Sequence, residues 1–253
     1  MVAEYMTYII AGVVILYFAI MFISPRLDKT DKLRLLICFI LIIGSTLFWS
    51  SFEQQPTSFN LFADRYTDLD VLGFEIPSIW FQSLNPLFIL LLAPIVSIIW
   101  VKLGNRGVEP SSMVKFALGM LLAAAGFGLM IVASKSILTN DSGLASPLWL
   151  VGSLLLLTLG ELALSPVGLS SMTKLAPKGM QGQMMGLFFA SLAMGNLVAA
   201  FFGGNVSADK IEGLPDLFTT MTILLVVTAA LLLVLAKPIN NMLQKSERAD
   251  KVS

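Results

Sequence analysis

Two glutamates, Glu53 and Glu161, stand in a chain that otherwise reads as membrane-spanning apolar helices. An ionisable side chain at the bilayer centre costs about 2.5–3.5 kcal/mol on insertion scales, so such residues face a bundle interior or a wet cavity and mark ion or substrate paths. Carboxylates there can carry protons and hold cationic groups. The sequence contains no histidine. His-based hydrolysis and His metal ligation are therefore excluded, no metal site is expected, and proton chemistry falls to the carboxylates. Glu161 lies about fourteen residues into its apolar stretch, near mid-membrane. The alternative role, a hydrogen bond to Ser165 that fixes helix packing, is disfavoured by the cost of placing it there. Glu53 falls roughly 30 Å along a helix begun at Leu33, near the outer edge, where a glutamate is cheap. However, polar residues continue to Asn60, and the apolar Phe59–Ala63 extends and tilts the helix, so Glu53 is also read as functional.

The elements that must position these groups follow from composition. Of 253 residues, 57% are hydrophobic and 13% charged, a balance that belongs to an integral membrane protein. Net charge is zero, so nothing points to nucleic acid. The single cysteine, Cys38, cannot build an internal disulfide framework and reads as a buried small hydrophobe. The N-terminus does not read as a signal peptide, because no basic residue precedes a long apolar run. Seven stretches are long enough to span: Tyr5–Ile23, Leu33–Phe52, Ile79–Leu103, Met113–Ala133, Leu148–Leu169, Met184–Phe202 and Leu217–Ala236. Thirteen basic residues fall on one set of alternate loops and the C-terminal tail, and three (Arg65, Lys135, Lys210) on the other. The positive-inside rule then predicts an outside N-terminus and a cytoplasmic C-terminus, in the cell (inner) membrane. The loop from Asp64 to Ser78, with Asp64, Asp68, Asp70 and Glu75, reads as solvated surface. Lys102–Arg106 reads as a tight cytoplasmic turn, and Lys245–Ser253 as a charged, frayed tail including Arg248 and Lys251.

Side chains three and four apart share a helix face. The second span carries Thr46, Trp49, Ser50, Glu53, Thr57 and Asn60, with Pro56 expected to kink it. The third carries Ser78, Gln82 and Asn85 before Pro86. The fifth carries Thr158, Glu161 and Ser165 before Pro166, and the sixth Met184, Phe188, Ser191 and Gly195. These four spans are expected to line a polar cavity, and spans four and seven to face lipid and buttress the rest. Gly119, Ala123, Gly126 and Gly128, with Gly182 and Gly186, are expected to allow close helix contact. Trp80 reads as an interface anchor and Trp49 as cavity lining. Asn85 either lines the cavity or bonds a neighbouring helix. Spans two to four and five to seven form two units of opposite direction, each opening with a glutamate followed by a proline, the pattern of inverted transporter repeats.

The run Phe48-Trp49-Ser50-Ser51-Phe52-Glu53-Gln54-Gln55, continuing to Leu61-Phe62-Ala63-Asp64-Arg65, resembles the seventh helix of the proton-dependent oligopeptide transporters. Trp80-Phe81-Gln82-Ser83-Leu84-Asn85-Pro86 is similar to that family's eighth helix. Leu159-Gly160-Glu161-Leu162-Ala163-Leu164-Ser165-Pro166-Val167-Gly168-Leu169 is similar to its tenth, followed by Lys174-Leu175-Ala176-Pro177. The first span resembles the second helix of the extra pair found between the halves of bacterial members. The resemblance implies an all-α membrane protein of the major facilitator fold. Residues 1–31 would be a linker-type transmembrane helix and loop, 32–240 the six-helix C-terminal half, and 241–253 a cytoplasmic tail. It implies proton-coupled uptake of di- and tripeptides, driven by the proton gradient without a cofactor and without enzyme chemistry. Glu161 would meet the peptide's amino end and couple to protons, Asn85 would assist it, Ser165 would be a weaker contact, and Trp49 would shape the side-chain pocket. Glu53 would pair with an arginine of the other half to close the outer gate. Phe188 stands where the family usually has tryptophan, so the pocket differs there.

The family's N-terminal half, with its cationic residues, has no counterpart here. Two carboxylates without cationic partners are electrostatically incomplete for a zwitterionic substrate. The chain is therefore expected to act as the C-terminal half of a split or truncated carrier, with a complementary N-terminal half or a second copy. A nonfunctional remnant is the alternative. A seven-helix receptor or retinal protein fits the topology, but the seventh span lacks a Schiff-base lysine. An intramembrane hydrolase would need a Ser–His pair or two intramembrane aspartates, and the spans have neither.

Overall fold

The computed structural model describes residues 2–71, 73–108, 110–138, 143–203 and 213–250. Lys210 and Lys251, and the side chains of Lys245 and Arg248, lie outside the described part. In lipid every backbone polar group needs an internal partner, so apolar runs of this length fold as helices. The helices are α1 (Val2–Ile23), α2 (Lys29–Phe52), α3 (Asn60–Tyr66), α4 (Leu84–Asn105), α5 (Ser112–Ile137), α6 (Leu148–Leu175), α7 (Gln181–Gly203) and α8 (Gly213–Asp250). Six continuous helical stretches are long and apolar enough to cross a membrane, the first of them Lys29–Tyr66, which joins α2 to α3. The first expected span, Tyr5–Ile23, lies within α1, whose apolar part Tyr8–Ile23 is shorter than these six.

The cross-contacts set the direction of each helix. Ser112 meets Ser171, and Gly126 meets Ser153, so α5 and α6 run antiparallel. Ser45 meets Ser191, and Gln54 meets Ala199, so α2 and α7 run parallel. Asn85 at the start of α4 meets Thr158 and Glu161, so α4 runs along α6. α1 docks on the bundle through Tyr17, whose hydroxyl donates to Gln183 Oε1 at 2.5 Å, and through Phe18, which packs on Phe39 with ring centroids 4.8 Å apart. Cys38 is fully buried, as its sequence context suggested.

The second span does not end at Phe52. After Glu53 and Gln54 the chain makes a π-helical turn, Gln55–Phe59, and continues as α3. Proline cannot supply the regular helical N–H, and here Pro56 sits in the first residues of the wider turn. Gln54 is buried and holds the turn: its Oε1 accepts from Ser58 Oγ at 2.8 Å, and its Nε2 donates to the Ala199 carbonyl at 3.1 Å. Glu53 thus lies roughly 20 Å before the end of the span, not at its outer edge. Pro166, by contrast, lies inside an uninterrupted α6, so the two glutamate–proline pairs differ in backbone form.

Three further expectations are corrected. Spans four and seven were expected to face lipid and buttress the rest; α5 does buttress, but from inside, largely buried between α6 and α8, with Phe116, Met120, Phe127 and Met130 in the core. The α4 helix, expected as a cavity wall, has no buried residue among those described, in keeping with a place on the open side. The apolar character of α5 comes from packing within this half, and α4 lies on its open side. Residues 102–105 are still helical, and the turn comes at Arg106 and Gly107, where φ is +70°. The helix α8 continues through Pro238 to Asp250, so the first part of the expected tail is helical. In the loop after α3, Asp64, Asp68, Asp70 and Glu75 are exposed as expected; Asp70–Val71 pairs with Phe74–Glu75 in a short hairpin.

The tightest packing is between α5 and α6. A Cβ added at Gly119 would lie 2.7 Å from the Gly160 carbonyl oxygen, and one at Gly160 would lie 2.6 Å from that of Gly119. Gly126 is similarly closed by Ser153 and Leu157, and Ser153 Oγ donates to the Gly126 carbonyl at 2.8 Å. Gly128, Gly182 and Gly186 were expected to share this role, but an added Cβ there meets nothing within 4 Å. Gly119→Val should therefore cost about 1–3 kcal/mol by overpacking and lower Tm by several degrees in detergent melts. Gly128→Ala should be neutral or stabilising by less than about 1 kcal/mol; equal effects at the two sites would contradict this packing. Gln54→Leu should cost about 1–3 kcal/mol, because it leaves the π-turn and α7 without their shared partner. Thr57→Val, at an exposed position that bonds only within its own turn, should cost less than half as much in the same melts.

Candidate functional site

Gly160 and Glu161 are neighbours on α6, and successive helical residues point roughly 100° apart. With Gly160 pressed against α5, Glu161 is turned toward α4. Asn85 waits there, in the first turn of α4, following the 3₁₀ segment Ser78–Ser83 and preceding Pro86. A proline is tolerated in a first turn, where backbone N–H groups lack helical acceptors anyway. The Asn85 Nδ2 donates to Glu161 Oε2 and to Thr158 Oγ1, both at 3.1 Å. Thr158 is buried and donates its own proton to the Leu154 carbonyl at 2.8 Å, so its oxygen is set as the acceptor for Asn85. Asn85 therefore both bonds a neighbouring helix and belongs to the site. Ser165, one turn on, is half-buried and makes no hydrogen bond with Glu161, so the packing alternative for Glu161 is not realised.

Glu53 caps the end of α2. Its partner is Asn196 on α7, whose amide, in the orientation that satisfies both groups, donates to Glu53 Oε1 at 2.9 Å and Oε2 at 3.2 Å. Asn196 was missed by sequence reasoning. Its signal was a lone amide in an apolar run, directly after Gly195. A Cβ at Gly195 would lie 2.4 Å from Trp49 Cβ, so α7 closes onto α2 there and brings Asn196 beside Glu53. Among the described residues neither Glu53 nor Glu161 is paired with a lysine or arginine.

The remaining candidates divide. Trp49 is half-buried, packed edge-on against Phe48 and Phe52, and its Nε1–H is buried without an acceptor. Phe188 does not line an open pocket: it is 2% exposed, and its ring covers Gly168 so closely that a Cβ there would lie 2.3 Å from Cζ. Thr46, Ser50 and Ser191 are also buried. Thr46 and Ser50 bond back to their own helix, and Ser191 to Ser45 at 2.8 Å, so this part of the expected polar stripe is helix-packing surface. What stays open is a pair of carboxylates, each held by an asparagine amide, with Thr158 behind one and Trp49 a turn from the other. Such a set accepts protons and ammonium groups; it offers no cation for a carboxylate.

The model of the POT family matches residues 2–241. The chain is 51% identical over 247 residues to the peptide transporter YePEPT of Yersinia enterocolitica, covering 98% of this chain and 48% of that protein. It is 36% identical over 240 residues to a di-/tripeptide transporter of Lactococcus lactis, covering 91% and 46%. A peptide transporter POT crystallised with alafosfalin superposes with a TM-score of 0.84 at 36% identity, over 94% of this chain and 47% of that one. The chain spans about half the length of the curated relatives it matches. The seven-helix architecture and this match over nearly its whole length place the chain in the POT family, as a major facilitator-type bundle of the C-terminal half.

Proposed function

We propose that the chain supplies the C-terminal half of a proton-coupled carrier of di- and tripeptides. The observation that carries this reading is the pairing of Glu161 with Asn85 and of Glu53 with Asn196 on one open side of the half, with no cation paired to either carboxylate among the described residues. Relatives bearing the same half are named peptide transporters. Glu161 receives the peptide's ammonium group and exchanges protons, and Asn85 orients it. Ser165 offers a weaker contact along the same face, and Trp49 bounds the side-chain space. Phe188 shapes that space only indirectly, through Gly168. The peptide carboxylate and the partner of Glu53 are cations of the complementary N-terminal half, whether in the same chain or another. Proton and peptide binding bias alternating access because they make and break charge pairs between the halves. The proton gradient drives the cycle without a cofactor or a chemical reaction. The loop-charge asymmetry orients the protein in the inner membrane with its N-terminus outside and its C-terminus in the cytoplasm.

The test is uptake of a labelled dipeptide into proteoliposomes under an inward proton gradient. Three samples are compared: this chain alone, the chain with a matching N-terminal half, and that pair carrying Glu161→Gln. Uptake only by the pair, reduced roughly tenfold or more by the substitution, is the expected result. Uptake by the chain alone would mean that a second copy completes the site. No uptake by the folded pair would overturn the proposal in favour of a nonfunctional remnant.

A further inference from the structure

The π-turn after Gln54 does more than carry the second span past Pro56. One of its bonds runs from the Asn60 N–H to the Gln55 carbonyl, five residues back. In a regular α-helix two such residues lie about 140° apart around the axis. Here the wider turn lets both side chains line one small space. That space lies against α6 at Leu154, roughly 10 Å along the helix from Glu161. The centre of a water can occupy about 10 Å³ of it, about what a single water requires. Phe59 and Phe81, 2% and 8% exposed, are its apolar walls, and Gln82 stands exposed at its rim. Gln55 Nε2 and Asn60 Oδ1 are both buried, and neither has a hydrogen-bond partner. A donor and an acceptor thus share one space without reaching each other. No charged side chain lines it among the described residues.

We propose that this space binds a single structural water, which accepts from Gln55 Nε2 and donates to Asn60 Oδ1. Buried side-chain amides are nearly always hydrogen-bonded, because an unmet donor or acceptor away from solvent is costly. Water both donates and accepts, so it completes the pair whichever way either amide is turned. Gln82 offers a further partner from the rim, and a buried water typically makes about three bonds. An ion suits the space less well. A metal cation would need both amides turned to present oxygen, and an anion would meet no opposite charge. The water ties the π-turn to α6 and to the segment Ser78–Ser83. Gln54 already ties the same turn to α7 through the Ala199 carbonyl. The turn is thus held on two sides, by a side chain toward α7 and by a water toward α6. Asn85 lies three residues beyond Gln82, so the same water steadies the start of α4. The inference uses none of the groups assigned to peptide or proton and stands apart from the transport reading.

Pulsed X-ray radiolysis of the reconstituted full chain, read by mass spectrometry, tests it. Hydroxyl radicals formed from a held water oxidise the side chains that touch it. Phe127 is the internal reference: it is fully buried and packs on Phe59 with ring centroids 5.4 Å apart, but does not line the space. Phe59 should be oxidised severalfold more than Phe127. Asn60→Leu, apolar and of similar size, should bring Phe59 down to the level of Phe127. Gln55→Met, the milder change, is the second variant and should do the same. Continued protection of Phe127 shows that the core of each variant is intact. Oxidation of Phe59 no greater than that of Phe127 in the parent would overturn the proposal. So would undiminished oxidation of Phe59 in a variant whose Phe127 stays protected. Oxidation of Phe59 that rises when choline replaces sodium and potassium would also overturn it, because a metal ion would then hold the space.

Discussion

The backbone contact between Gly119 and Gly160 is the constraint on which the site depends. Two helices can approach this closely only where neither has a side chain, and the adjacent residue then has little freedom of direction. Because Gly160 faces α5, Glu161 faces α4, and Asn85 and Thr158 can be placed to meet it. A carboxylate at membrane depth is costly unless its surroundings are polar, and the asparagine amide and the open side of the half provide that. The same device recurs at Gly195, where α7 closes on α2 and delivers Asn196 to Glu53. In both places a glycine sets the spacing and its neighbour in sequence, Glu161 or Asn196, carries the polar group.

The half is accordingly two-sided. Its packed side, α5 with α6 and α8, is filled by aromatic and methionine side chains such as Phe116, Phe127, Met130 and Phe218. Its open side carries α4, the outer face of α7 and the carboxylates. The packed side is a scaffold whose fit tolerates little change, whereas the open side is electrostatically unfinished. Two acidic groups with amide partners can hold a proton or an ammonium group, but they cannot by themselves hold a zwitterion. That imbalance agrees with a chain that spans about half the length of its relatives.

Much of this was legible in the sequence. Seven helical runs, six of them long enough to span, followed from run length, and Glu161, Asn85 and Glu53 from the rarity of polar residues in those runs and from the motifs around them. Other features depend on contacts between distant segments. Asn196 looks like an isolated amide until the α2–α7 contact sets its register against Glu53. Phe188 shares a helical face with Ser191 and Gly195, and only the bare backbone of Gly168, on another helix, reveals that its ring is covered. The burial of α5 was misjudged because an apolar helix looks the same whether it faces lipid or protein. The extension past Pro56 was hinted at by Phe59–Ala63, but its π-turn and the buried Gln54 that holds it needed the folded chain.

The transport reading requires that Glu53, at the end of α2, and Glu161, on α6, face one water-accessible space while Ala163 on α6 faces protein. Thiol labelling with a membrane-impermeant reagent tests it directly, and the chain suits it because its one native thiol, Cys38, is buried. Cysteines would be placed singly at positions 53, 161 and 163 in the reconstituted chain; Ala163 is 3% exposed and lies two residues from Glu161. Rapid labelling at 53 and 161 and protection at 163 are the expected result. Equal labelling at 161 and 163, or no labelling at 161, would contradict it.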